Sequence, residues 1–149
     1  MKNDTIEAKI LINASARAVY DVWADVEQWP RWDPDTREAQ LDSAFAVGAR
    51  GRLRPRKGMA VRMQVVEAAR DKNFTVECPV LGNVMRFEHE LVPTKGGVEV
   101  THRVQFRGWL SGWLLRTVGR DVQHGLPVTL QRLKLHVEQG IDPAGNIQA

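Results

Sequence analysis

From Thr5 to Ile12 the chain alternates, with Ile6, Ala8, Ile10 and Ile12 on one side and Thr5, Glu7, Lys9 and Leu11 on the other. A period of two predicts a strand with one buried face. Asn13-Ala14-Ser15 stops the strand, and the Ser15 hydroxyl is placed to cap a helix that begins at Ala16. Val19, Val22, Trp23 and Val26 then follow helical spacing. Trp29-Pro30-Arg31-Trp32-Asp33-Pro34 closes this segment, because each proline disfavours helix in the residue before it. Further strands are predicted near 37–43, 50–54, 59–68, 73–79, 83–92 and 97–107, with glycine- and proline-containing breaks between them. Short spacing and turn chemistry make this an antiparallel meander.

After Gly108 the period changes. Leu114, Val118, Val122, Leu126, Leu130, Leu133 and Val137 step by four or three, which predicts one long amphipathic helix at roughly 110–139. Pro127 inside it removes a hydrogen bond and is expected to kink the helix there. Gly140 and Pro143 are expected to end it. The order of elements defines an α+β fold: one strand, two short helices, six strands and a long helix. In it a seven-stranded antiparallel sheet curves around the C-terminal helix. A single helical stripe cannot fill such a curve, so a cavity is expected between helix and sheet. The 149 residues read as one domain, its core spanning about 5–140.

Composition narrows the classes. At 43% hydrophobic and 26% charged residues, the chain is neither disordered nor a membrane bundle, and no run approaches the roughly 20 apolar residues of a spanning helix. Met1-Lys2-Asn3-Asp4 has no apolar run behind it, so no secretory signal is expected. The single cysteine, Cys78, excludes an internal disulfide and a zinc site built on several thiolates. A reducing cytoplasm is the compartment this suits. The net charge of +3 is local, since Arg50, Arg52, Arg54, Arg56 and Lys57 fall in one stretch without an acid. That stripe is too confined for a dedicated nucleic-acid reader. A solvated outer strand face explains it, and contact with anionic lipid, an acidic ligand or RNA is the alternative.

The chain resembles the helix-grip superfamily, also called START-like or SRPBCC, and within it the bacterial polyketide cyclase/dehydrase-like proteins. Ile12-Asn13-Ala14-Ser15-Ala16 resembles the strand-to-helix transition of that group. Val19-Tyr20-Asp21-Val22-Trp23-Ala24-Asp25 resembles its first helix, Trp29 to Pro34 the aromatic turn after it, and Phe45-Ala46-Val47-Gly48 the turn into the third strand. The terminal helix completes the set. The resemblance implies a ligand cavity and not a reaction, because such proteins include lipid and quinone carriers, cyclases, hydrolase-like enzymes and protein-binding modules.

The hairpin 83–107 carries the candidate chemistry. Met85, Phe87, His89 and Leu91 share one face of its first strand, and Val98, Val100, His102, Val104 and Phe106 share one face of its second. Both histidines therefore point inward with the apolar set. A loop formed by Thr94 to Gly97 sets His89 opposite His102, roughly 5 Å apart at Cβ. Two readings stand: core histidines bound to each other or to water, or a polar spot that orients a ligand carbonyl or acts as general acid and base. No third ligand at an evident spacing supports a metal, and no cofactor is implied. The expected ligand-binding surface comprises Trp32, Met63, Met85, Phe87, His89, His102, Val104, Phe106, Trp113, Val118 and Val122. Trp29 and Trp32 either line the cavity mouth or plug the end of the core. Trp109 to Leu115 is unusually apolar for a connection, with Arg107, Arg116 and Arg120 around it. It reads as a packed helix start, a gate over the cavity, or a peripheral contact with an anionic membrane through Trp109 and Trp113. Nucleophile elbow, P-loop and dinucleotide fingerprint are all missing. The expected function is binding or transport of a hydrophobic small molecule such as a lipid, quinone or polyketide. The alternative is a cyclase or dehydratase that uses His89 and His102, and a protein- or RNA-interaction module is a third. Whether the chain is an enzyme stays open at this point, with a non-enzymatic binder ahead.

Overall fold

The computed structural model describes residues 5–139. Its elements in chain order are β1 (Thr5–Ile12), α1 (Ala16–Ala24), a 3-10 helix (Val26–Arg31), β2 (Thr36–Leu41), β3 (Arg50–Pro55), β4 (Val61–Ala69), β5 (Asn73–Val80), β6 (Asn83–Thr94), β7 (Gly97–Arg107), α2 (Ser111–Arg116) and α3 (Val118–Gln139). The strands form one seven-stranded sheet in the order β1-β7-β6-β5-β4-β3-β2, each pair antiparallel. Consecutive strands pair from β2 to β7, and β1 closes the far edge against β7. The sheet curls into a half-barrel that holds the C-terminal helix. This is the helix-grip fold.

Local chemistry explains the elements. The Ser15 hydroxyl accepts from the Ala18 N–H at 3.1 Å and caps α1, whose Val19, Tyr20 and Trp23 are buried against the sheet. Trp29 donates its indole N–H to the Trp23 carbonyl at 2.8 Å, which folds the 3-10 helix back under α1. Asp33 accepts from Thr36 Oγ1 at 2.7 Å, from the Asp35 N–H at 3.0 Å and from Thr129 Oγ1 at 3.2 Å. The aromatic turn is thereby pinned to α3. Trp29 and Trp32 are both buried, so the turn plugs the end of the core. On β3 the arginines 50, 52 and 54 face solvent while Gly51 packs under β2, where a Cβ would come within 1.9 Å of the Gln40 carbonyl oxygen.

Two expectations are corrected, and a third, one helix through Pro127, holds. The β6–β7 turn is tighter than a four-residue loop, because Thr94 pairs with Gly97 and only Lys95 and Gly96 connect the strands. The long helix is not continuous from 110: it breaks at Thr117 into α2 and α3. Thr117 Oγ1 donates to the Trp113 carbonyl at 2.9 Å, and the Thr117 N–H takes the same carbonyl at 3.0 Å. A hydroxyl that competes for the carbonyl four residues back weakens a helix at that point. The turn sets buried Gly119 against β1, where a Cβ would lie 3.2 Å from Ile6 Cδ1. Finally, α3 runs as one helix through Pro127. The carbonyl its missing N–H would have taken belongs to Gln123, and Gln123 and Pro127 both line an open groove where solvent can satisfy it. Gly140 and Pro143, expected to end the helix, lie outside the described residues.

Candidate functional site

One rung of the sheet carries the site. Register places Phe74 opposite His89, His89 opposite His102, and His102 opposite Ala8, across β5, β6, β7 and β1. Alternation turns all four inward. Phe74 and His89 stack face to face, with ring centroids 3.9 Å apart, and the two imidazoles meet edge to face at 4.6 Å. Trp23 of α1 lies over the pair, 5.4 Å from His89 and 5.7 Å from His102, and Trp32 approaches His102 from the aromatic turn at 6.3 Å. Ala8 ends the rung on β1, the edge strand of the sheet.

The polar atoms of this rung are unevenly served. His89 donates Nδ1–H to the Phe74 carbonyl at 3.2 Å; a carbonyl can only accept, so that nitrogen carries the proton and Nε2 keeps its lone pair. His102 is only 4% exposed and its Nε2 has no hydrogen-bond partner in the protein. The indole nitrogens of Trp23 and Trp32 are also buried without one. Three such atoms around one imidazole depart from the rule that buried polar groups are paired. Burial pushes the His89 imidazolium down to about 3, against its hydrogen bond to Phe74 and the nearby Glu88 carboxylate. Burial holds His102 well below its ordinary value as well, and the neighbouring His89 adds to the effect. Both rings are neutral at pH 7.

The expected binding surface is distributed as follows. Trp32 and Met63 belong to a large apolar cluster under α1, while Val104 and Phe106 join Leu114 in a smaller one under α2. Phe87 packs against both clusters, and Met85 and Val122 against the smaller. The structure does not bring Trp113 or Val118 to this surface. They are 52% and 38% exposed: Trp113 lies on the solvent side of α2, whose buried residue is Leu114, and Val118 follows the break at Thr117. A half-open groove of about 300 Å³ lies elsewhere, between β1 and the terminal helices, with Ile6, Ala8, Leu115, Leu126 and Pro127 among its walls. Ala8 links it to the histidine rung. A cavity between sheet and long helix is what the sequence predicts, but none of this groove's lining residues is among those expected, and sequence reasoning missed Trp23 and Phe74 as partners of the histidines. Register could have supplied Phe74, since Asn73 and Glu90 bound the same hairpin. Cys78 is buried, and burial pushes its thiol up to about 12, which leaves it inert. Among the described residues, no three His, Cys, Asp or Glu side chains gather as a metal site, and no helix is long and apolar enough to cross a membrane.

A half-barrel gripping a helix, with an apolar interior interrupted by one polar rung, defines a helix-grip protein. The chain belongs to the family described as polyketide cyclase/dehydrase and lipid transport, whose model matches residues 4–138. Its fold is similar to that of protein NE0264 from Nitrosomonas europaea, with a TM-score of 0.75 and 15% identity over 93% of this chain and 97% of the other. It is also similar to TTHA0849 from Thermus thermophilus, with a TM-score of 0.73 and 16% identity over 93% of this chain and 99% of the other. The di-domain ARO/CYC protein StfQ from the steffimycin biosynthetic pathway aligns with a TM-score of 0.73 and 12% identity over 90% of this chain and 50% of its own. No curated relative matches the chain in sequence.

Proposed function

We propose that the chain binds a hydrophobic small molecule of polyketide type, an apolar skeleton bearing carbonyl or hydroxyl oxygens, at the His89–His102 rung. A single observation carries this reading: the rings of Trp23 and Trp32 lie 5.7 and 6.3 Å from that of His102, and each of the three holds a buried nitrogen without a partner. Two indole N–H donors and two neutral imidazoles suit an uncharged oxygenated ligand; no buried cation is at hand for a carboxylate. The groove beside Ala8 is the route by which such a molecule reaches the rung. Family membership accords with a polyketide or a lipid ligand, and the biosynthetic setting of StfQ is the reason for taking the polyketide class first. A cytoplasmic setting accords with the lone reduced cysteine.

The catalytic alternative rests on His89, whose tautomer leaves Nε2 free to take a proton. An imidazole pushed down to about 3 has little proton affinity at pH 7. Binding is therefore placed ahead of cyclisation or dehydration. A hydroxyanthraquinone probe tests the reading by nuclear magnetic resonance. Its binding should shift the Trp23 and Trp32 indole protons and the His102 ring nitrogens. Trp32→Phe keeps an aromatic side chain but loses the indole donor and part of the ring, so affinity should fall by at least about fivefold, the worth of one hydrogen bond of about 1 kcal/mol. Saturable binding that leaves those resonances in place would overturn the site, and a probe that fails to bind would overturn the class.

A further inference from the structure

Three of the five tryptophans are buried, whereas Trp109 and Trp113 are 78% and 52% exposed. They share one end of the molecule with Leu81, which is 69% exposed at the tip of the β5–β6 turn. Leu81 holds a left-handed backbone, with φ of 51°, a strained conformation for a side chain of that bulk. The structure holds it there through Asn83. Its buried side chain donates to the Leu81 carbonyl at 3.0 Å and accepts from the Leu110 N–H at 2.8 Å, tying the turn to the β7–α2 connection. Trp109 lies against Gly82, where a Cβ would sit 3.6 Å from its indole nitrogen. Two protruding apolar tips are thus braced side by side, and Trp113 follows one helical turn on.

Among the described residues, the two segments that build this end carry charge of one sign. Segments 80–84 and 107–120 contain Arg107, Arg116 and Arg120 and no carboxylate; the first acid beyond them is Asp121. All three arginines are exposed. Arg107 donates to the Gln105 side chain and Arg116 to the Gly112 carbonyl, neither of which neutralises it. Projecting indoles and an aliphatic tip ringed by uncompensated guanidinium groups have the composition of an interfacial lipid contact. Stacking on nucleobases would account for the tryptophans and arginines, but it gives no use for a strained leucine held out into solvent.

We infer that this end docks on an anionic lipid bilayer, with Leu81, Trp109 and Trp113 in the boundary between headgroups and acyl chains and the arginines on the lipid phosphates. The contact uses surface groups only and stands apart from the ligand reading. Vesicles of phosphatidylcholine, with and without about 30% phosphatidylglycerol, test it on the full chain. Tryptophan emission should shift to the blue on anionic vesicles only, and about 0.5 M salt should release most of the protein. In a Trp113→Phe variant, brominated acyl chains should quench Trp109. Trp109→Ser should weaken binding about tenfold. Replacing Arg116 and Arg120 with Gln should cost about fivefold per arginine at low salt and little at high salt. These positions are exposed, so far-ultraviolet dichroism should stay that of the parent. The inference is overturned if anionic vesicles leave parent emission and sedimentation unchanged, or if Trp109→Ser binds them as the parent does. Tighter binding to single-stranded RNA than to the vesicles would also overturn it and assign the surface to nucleic acid.

Discussion

The two faces of the β6–β7 hairpin treat polar groups in opposite ways. On the outer face Arg86 pairs with Glu77 and Glu88, each at 2.8 Å, and Arg103 pairs with Glu7 at 2.9 Å, Glu88 at 2.7 Å and Glu90. Each of these two arginines has at least two carboxylates, and Glu88 bridges both. Burial works to raise the Glu88 carboxyl, but hydrogen bonds from Arg86 and Arg103 outweigh it and hold the group below its ordinary range. One residue away on each strand, the inner face carries His89 and His102, with one hydrogen bond to the backbone between them. The outer network is complete in itself and serves the sheet. The inner rung keeps buried donors and an acceptor that the fold leaves unused, and burying such groups carries a cost without a packing return. The difference separates polarity that serves the sheet from polarity that the fold leaves unpaired, which is what the proposed function rests on.

The largest expected effect is on the inner face. His89 and His102 are held below their unfolded value, so the native state binds fewer protons than the unfolded chain as pH falls. Stability is then full above the unfolded pKa of about 6.5 and is lost on acidification down to the folded value, which for His89 is about 3. Urea unfolding of the parent should show a loss of a few kcal/mol across this window. A variant with both histidines changed to Leu should lose most of that slope between pH 6.5 and about 5, and what remains belongs to His136, which burial also lowers, and to Asp33, whose carboxyl burial raises. It should remain folded, since leucine fills the space of each buried imidazole with apolar atoms and the loss is confined to the hydrogen bond that His89 gives the Phe74 carbonyl. An unchanged slope in the double variant would place the pH dependence elsewhere and dissolve the contrast between the faces.

Much of this contrast is legible in the amino-acid sequence. Period-two alternation assigns every residue of the hairpin to its face, and the short turn sets His89 against His102. The tighter turn at Lys95-Gly96 changes the loop and leaves the register intact. What sequence cannot supply is the third dimension of the rung. Trp23 and Trp32 meet His102 only after α1 and the aromatic turn have packed, and their lack of partners is a property of that packing. The break at Thr117 is hidden for a related reason. The apolar stripe from Leu114 to Val122 runs straight across it, whereas the hydroxyl bond to the Trp113 carbonyl leaves no mark on hydrophobic periodicity. Val118, expected inside, is 38% exposed just after that break. The groove at Ala8 requires knowing that β1 is an edge and that α3 passes along it.

A smaller effect is expected on the outer face. Arg103→Met keeps the stem that packs on the sheet and removes the charge from Glu7, Glu88 and Glu90. Arg103 and Glu88 are only partly exposed, so the loss should be about 1–2 kcal/mol, larger than for a surface pair. The Glu88 carboxyl should move back toward its ordinary value. Its contribution in the parent is present above the unfolded pKa of about 4.3 and disappears as pH falls through the folded one, so acid sensitivity in that range should weaken in the variant. Denaturant midpoints at about pH 7 and about pH 3.5, either side of that pKa, measure both effects. Ligand binding should not change. A fall in probe affinity with Arg103→Met would show that the outer network positions the inner rung.

The smallest effect is the coupling between the faces. His102 and Arg103 are adjacent in sequence, yet their side chains leave opposite sides of β7 and share no partner: His102 meets His89, Trp23 and Trp32, and Arg103 meets three glutamates. Sites with no common contact normally add in free energy. A double-mutant cycle of His102→Leu and Arg103→Met should therefore give an interaction term below about 0.5 kcal/mol. Backbone transmission is the one path that could raise it, because both residues sit on one strand and the Glu90–Thr101 and His89–His102 pairs are neighbouring rungs. If strand β7 shifts when its outer charges are removed, the imidazole rung shifts with it, and the term should exceed about 1 kcal/mol. Urea unfolding of the four proteins at about pH 7.5, where both imidazoles are neutral, isolates this term from titration. Additivity would mean that the sheet insulates its two chemistries; a large term would mean that the ion pairs outside are part of the site inside.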